Sequence, residues 1–239
     1  MSFDTGNRFA ARTAIPQVGI DQGLRSYMLR VYNYMAGGLA ITGVVAYFAA
    51  ASGLYLALTQ TPVLFWIVVF APLGLVLLLS FRIQRMSLHA AQATFWGYAA
   101  LVGLSLAGLF LVYTNASIAR VFFITAATFL AMSLWGYTTK RDLTSFGHFL
   151  IMGLIGIIIA SLVNLFLHSA GIYFAVSVIG VLVFTGLTAY DTQRIKEMYW
   201  EGDGGDVAGK KAIMGALRLY LDFVNLFMFL LQLFGQRRD

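Results

Sequence analysis

Two carboxylates carry the chemistry this sequence offers. Of its acidic residues, Asp4, Asp21, Asp142, Glu197, Glu201, Asp203, Asp206 and Asp239 fall in polar tails or connections, whereas Asp191 and Asp222 belong to long apolar segments. A carboxylate held inside a bilayer costs about 2.5–3.5 kcal/mol on insertion scales, so such a group is read first as functional. Like charges a few ångströms apart resist double ionisation, so two carboxylates in a dry site share a proton and sense pH. Their oxygens also suit a hard cation such as Ca²⁺. Two plainer roles stand beside this one. Arg218 lies four residues before Asp222 and can pair with it along one helix face. Asp191 closes its apolar segment and can rest as an interfacial carboxylate in water. Asn225, three residues after Asp222, is either a ligand or a helix-packing hydrogen bond. Tyr190 and Tyr220 are interfacial or packing rings.

Other membrane chemistries fail on their residue requirements. The chain has no cysteine, so it lacks a thiolate metal site and a cysteine nucleophile. Lys210 and Lys211 precede the last apolar segment, so no lysine lies inside it for a retinal linkage. His89, His148 and His168 sit singly at segment ends rather than in facing pairs. A His-Glu-x-x-His metalloprotease motif and a nucleotide loop are both absent. Gly103-Leu-Ser105-Leu-Ala-Gly108 is one residue too long for a nucleophile elbow, so Ser105 reads as a small packing residue. The expectation is a protein that is not an enzyme and has no resident cofactor.

The elements that must position the two aspartates follow from composition. Sixty per cent of the residues are hydrophobic and 11% are charged, against about 25% charged in soluble domains. A bilayer core of about 30 Å needs roughly 20 apolar residues of helix. Seven segments qualify: Tyr34–Tyr55, Val63–Phe81, Ala90–Tyr113, Ser117–Tyr137, Phe149–His168, Ile172–Tyr190 and Ile213–Phe234. The fold is therefore all-α and polytopic, with residues 1–30 as a polar tail, 31–235 as the membrane domain and 236–239 as a short end. Asp191–Ala212 reads as the one long connection, and its Gly202-Asp203-Gly204-Gly205-Asp206 run as a mobile turn.

Charge sets the expected orientation. Arg8, Arg12, Arg25, Arg30, Arg82, Arg85, Lys140, Arg141, Arg194, Lys196, Lys210 and Lys211 fall on the side of the N-terminus. Only Arg120, Arg237 and Arg238 fall on the other side. The positive-inside rule then places the N-terminus in the cytoplasm. The same asymmetry accounts for the formal charge of +6, and no basic stretch with interleaved aromatics points to nucleic acid.

Two motifs carry a resemblance. Tyr190-Asp191-Thr192-Gln193-x-Ile195-Lys196 and Leu219-Tyr220-Leu221-Asp222-Phe223-Val224-Asn225-Leu226-Phe227 resemble the Bax inhibitor-1, or transmembrane Bax inhibitor motif, family, and the match runs along essentially the whole chain. The Gly202–Lys211 loop is most similar to bacterial inner-membrane members. The resemblance implies six helices around a central seventh and a pH-sensitive calcium leak governed by an aspartyl pair, here Asp191 and Asp222. It also implies an arginine at the cytoplasmic end of the second helix that latches the pair; Arg85 is the better match and Arg82 the second. Some members carry an acidic residue inside the second helix, which this sequence lacks. One bacterial branch associates with a membrane-bound AAA protease.

The leading expectation is a Ca²⁺-permeable leak channel or transporter of a bacterial inner membrane. Asp191 and Asp222 act as proton sensor and cation site, Arg85 or Arg82 as latch, and Arg218, Asn225 and Tyr190 as supporting residues. Protonation would weaken the latch and also remove attraction for Ca²⁺. The competing expectation is a non-conducting regulator of a membrane AAA protease or other membrane complex, using the N-terminal tail and the Asp191–Ala212 loop. A proton-coupled transporter of an organic solute is a third, with few further buried polar groups to serve it.

Overall fold

The structure, a computed structural model, describes residues 22–238. Seven helices among them are long and apolar enough to cross a bilayer. Helix α1 (Gln22–Ala51) is followed by the short α2 (Leu54–Thr59), with Gly53 at φ 73° making the turn between them. Helix α3 (Pro62–Arg82) ends in a 3-10 turn, Ile83–Arg85. Then come α4 (Leu88–Leu106) with its one-turn extension α5 (Leu109–Val112), α6 (Asn115–Thr138), α7 (Thr144–Leu167), α8 (Ala170–Glu197) and α9 (Gly205–Phe234).

Each expected span is present, and the ends show why hydropathy alone mislocated some of them. Residues 22–30, expected in the polar tail, form the first turns of α1; residues 1–21 and 239 lie outside the described residues. The expected long connection Asp191–Ala212 is mostly helix: α8 runs to Glu197 and α9 starts at Gly205, leaving residues 198–204 between them. Hydropathy registers only the part of a helix that lies in oil. Backbone hydrogen bonding continues past that boundary wherever no breaker intervenes. The turn itself is tied down, since Lys211 Nζ donates to the Met198 carbonyl at 3.0 Å and pairs with the Asp203 carboxylate.

Serine and threonine set three helix starts. Ser87, Thr114 and Ser169 each accept a backbone N–H from the first turn of α4, α6 and α8. Asp142, between α6 and α7, accepts from the Thr144 N–H at 2.8 Å. Hydrogen bonds from the Thr144 side chain and backbone hold its carboxyl below the usual carboxylate range.

Helix α9 is the centre of the bundle. It packs against α1, α4, α6 and α8, whereas α3 packs mainly on α4 and α7 mainly on α8. Over their most apolar windows, 56% of α9 is buried but only 11% of α3 and of α7. The central seventh helix is thus observed, with four neighbours along its length and two outlying helices facing lipid. The exposed Phe81, Phe123 and Phe166 follow from the same cause, because a bilayer removes the penalty on exposed apolar surface. Two apolar cores meet on α9: one includes Phe95, Phe129, Leu219 and Phe223, the other Leu187, Leu226, Leu230 and Leu231.

The last helix crosses the whole bundle. Gly209 in its second turn lies against Leu88, at the start of α4. Beyond its other end, Thr114 N–H donates to the Gln236 carbonyl at 3.0 Å and Arg238 N–H to the Val112 carbonyl at 2.8 Å. Because α4 and α5 run from Leu88 to Val112, α9 spans the same two levels. The end holding the α8–α9 turn is called the near end below, and the end holding Phe234 the far end.

Candidate functional site

A helix advances about 100° per residue, so a run of seven residues touches every neighbour of a buried helix. The α8 motif does this one residue at a time. The Tyr190 ring lies on α7 at Gly147, where a side chain would collide with it, and carries the Arg194 guanidinium 5.8 Å from its centroid. Asp191 turns to α9. Thr192 turns to α6, where its hydroxyl is 3.0 Å from Ser133 Oγ, which is 2.6 Å from the Tyr32 hydroxyl on α1. Gln193 clamps the α6–α7 connection: its Oε1 accepts from Leu143 N–H and its Nε2 donates to the Arg141 carbonyl, both at 2.8 Å. Ile195 packs on Gly215 of α9, and Lys196 Nζ donates to the Tyr137 carbonyl at 2.9 Å.

The α9 motif is read the same way. Tyr220 is fully buried, and its hydroxyl is 2.7 Å from Thr42 Oγ1. Thr42 Oγ1 also lies 2.9 Å from the Gly38 and Ala99 carbonyls. Thr42 has one proton, so it donates to a carbonyl and accepts from Tyr220, tying α1, α4 and α9 together. Phe223 packs edge-on to Phe129 of α6 at 5.5 Å. Asn225 donates to the Leu221 carbonyl of its own helix at 2.8 Å.

Between these ties, Asp191 and Asp222 face each other. Their carboxyl groups lie within hydrogen-bonding reach across the α8–α9 interface. Asp222 is 4% exposed, and its Oδ2 has no hydrogen-bond partner among the described residues. Asp191 is at the rim, with its side chain 17% exposed, and its Oδ1 is 3.7 Å from Nη1 of Arg218. Arg218 is itself half-exposed. The three groups therefore form a graded line from water inward: guanidinium, rim carboxylate, buried carboxylate.

One expectation changes here. Arg218 precedes Asp222 by one helical turn, yet its ion pair is with Asp191 across the helix boundary. The Asp222 carboxylate sits roughly 25 Å along α9 from Gly205, at 1.5 Å per residue. Arg82 and Arg85 end the second span with exposed side chains, and among the described residues neither forms an ion pair with either aspartate. Arg218 was legible only as a neighbour in sequence; no sequence signal told which aspartate it would meet.

The site's chemistry is narrow. Two carboxyls can hold one proton or supply oxygens to one hard cation, and no group of three or more His, Cys, Asp or Glu side chains converges among the described residues. A cation there would complete its shell with backbone carbonyls and water. Toward the far end the buried Phe223, Leu226, Leu230 and Leu231 of α9 close off the pair with apolar packing. In this conformation its shortest exit is by Asp191 and Arg218.

Comparison with known proteins agrees with the motifs. Residues 24–239 match the family model described as inhibitor of apoptosis-promoting Bax1. A protein of Rickettsia prowazekii is 54% identical over 220 residues, covering 92% of this chain and 93% of its own length. The inner membrane protein YbhL of Escherichia coli strain K12 is 51% identical over 219 residues, covering 90% of this chain and 94% of its own. A membrane protein of Streptococcus pyogenes serotype M3 is 36% identical over 219 residues, with 90% and 95% covered.

Proposed function

The chain belongs to the Bax inhibitor-1 family, and from that premise we propose that it is a pH-sensitive Ca²⁺ leak in a bacterial inner membrane. The observation that carries this reading is the facing pair, with Asp222 buried and one of its oxygens unpartnered while Asp191 is held from outside by Arg218. Ca²⁺ is the cargo and the proton the regulator; the reading includes no catalytic step and no resident cofactor.

The groups act in sequence along the graded line. With Asp191 ionised, Arg218 holds it at the rim and a positive charge stands across the entry. An ion pair this exposed is worth only about 0–1 kcal/mol, so it opens readily. A proton entering the pair neutralises one carboxyl and loosens Arg218; a Ca²⁺ ion competes with Arg218 for the same oxygens. The apolar layer around Phe223 and Leu226 must then part for passage. The Lys and Arg excess at the near end supports a cytoplasmic near end and N-terminus, and the inner-membrane relative YbhL supports the compartment. Arg82 and Arg85 would take part as latches only after α3 moves toward α8 and α9.

Purified protein in liposomes tests this by Ca²⁺ flux between about pH 6 and pH 8, where a shared proton would titrate. Wild type is compared with Asp191→Asn, Asp222→Asn and the double variant. The expected outcome is a flux whose pH dependence disappears in each single variant and is no smaller in either than in the double. No flux above empty liposomes at any pH would reject the leak. The competing role, regulation of a membrane AAA protease, would then lead. It draws support from Trp200, 65% exposed in the α8–α9 connection, an aromatic anchor of the kind protein interfaces use.

A further inference from the structure

At the far end, α7, α8 and α9 part around a cavity of about 790 Å³ that the aspartyl pair does not touch. Its polar side combines the Asn164 and Gln232 amides and the Arg237 guanidinium with hydroxyl groups and the His168 ring. The Asn164 amide spends its oxygen on the Ser169 N–H at 2.8 Å, which leaves its NH₂ free of that bond. The Gln232 amide is 2.8 Å from Ser177 Oγ, whose one proton also has the Tyr173 carbonyl within 2.8 Å. Arg237 brings a guanidinium from the chain end beyond α9, within hydrogen-bonding reach of Tyr173. No Asp or Glu is among the described residues of the lining. An amide NH₂ beside a guanidinium describes a receptor for an anionic oxygen cluster such as phosphate.

The other side of the cavity is apolar, formed by Leu165, Val176 and Phe229. Beside it Phe166 of α7 and Phe174 of α8 are exposed on the lipid-facing surface. The cavity thus lies where the spans end, with polar groups and apolar walls lining it together. A free phosphate ion would satisfy the donors and leave those walls unused. We propose that this cavity binds one phospholipid, its phosphate held by Arg237 and Asn164 and its acyl chains laid along the apolar surface of α7 and α8. The site stands apart from the aspartyl pair and does not depend on the leak reading.

Native mass spectrometry of the full chain in mild detergent, titrated with phosphatidylglycerol, tests the site. Wild type should retain one lipid through detergent exchange. Arg237→Gln, in a segment beyond the last helix, should lower apparent affinity by about tenfold or more, as loss of a charge-assisted hydrogen bond implies. Asn164→Asp, which keeps the acceptor for the Ser169 N–H, should weaken binding as well, while Arg120→Gln, an exposed far-end arginine outside the cavity, should not. An unchanged melting temperature shows that Arg237→Gln remains folded. Equal retention by wild type and Arg237→Gln overturns the proposal, as does equal loss in Arg120→Gln, which would mean diffuse charge attraction. Glycerophosphoglycerol, the same headgroup without chains, should compete poorly. If it competes as well as the lipid, the site is one for soluble phosphates and the lipid assignment fails.

Discussion

Arg218 stands one helical turn before Asp222, yet its guanidinium lies 3.7 Å from Asp191 on the neighbouring helix. This arrangement leaves Asp222 without direct charge compensation and makes Asp191 the bridge between a buried acid and a half-exposed base. It also gives the pair an arginine neighbour on the last span, beside the Arg85 and Arg82 of the second span that the resemblance implies as latch.

Arg218→Gln should therefore raise Ca²⁺ flux several-fold at neutral pH and flatten its pH dependence, whereas Arg85→Gln should leave both unchanged. Folding stability should fall by no more than about 1 kcal/mol, as for other exposed ion pairs. Flux in liposomes beside a thermal melt separates the two effects. A silent Arg218→Gln with an active Arg85→Gln would return the latch to the second span.

Asp222→Asn should stabilise the protein while abolishing pH-dependent transport. The amide removes a like charge and offers its NH₂ to Asp191, where the carboxylate had an oxygen without a partner. An unsatisfied buried polar group costs about 1–3 kcal/mol, so a gain of that order is expected in detergent melts. A fall in melting temperature would show that the ionised Asp222 is itself holding the fold.

Gln193→Leu should loosen the α6–α7 connection. It leaves the buried Leu143 N–H and the Arg141 carbonyl without their partner, a loss of about 1–3 kcal/mol for each group that water does not reach. Hydrogen exchange should accelerate in residues 139–143 and remain slow in the middle of α8. Uniform acceleration along α8 would instead mean that the helix pairing had failed.

Asp142 offers a pH test away from the membrane interior. Its hydrogen bonds to Thr144 lower its pKa in the folded state, so it stabilises the fold above the unfolded value of about 3.9. That contribution is lost as the pH falls through the depressed folded value. Wild type should melt above Asp142→Ala at neutral pH, and the gap should close on acidification below about pH 4. A gap that stays constant into strong acid would assign the effect to something other than the carboxylate.

Much of the architecture is a property of the chain read locally. Seven apolar stretches of about 20 residues have no soluble alternative, and in lipid each must satisfy its backbone as a helix. The scarcity of acids in those stretches singled out Asp191 and Asp222, because burying charge is costly wherever it occurs. Helix ends were less legible. Gly205–Lys211 and Arg194–Glu197 are polar and still helical, since hydropathy reports the solvent around a helix and not its hydrogen bonding.

Partners were decided only in three dimensions. Which helix lies at the centre, which aspartate Arg218 reaches and which loop Gln193 clamps depend on how α8 and α9 are rotated against each other. That rotation comes from close contacts such as Gly136 of α6 against the Ala189 backbone and Gly180 of α8 against Phe229 of α9. A turn of about 100° separates neighbouring residues, so a one-residue change in facing would have sent Arg218 and Asp191 to different helices. Composition determined that two carboxylates belong to the long apolar segments; helix packing determined that they meet.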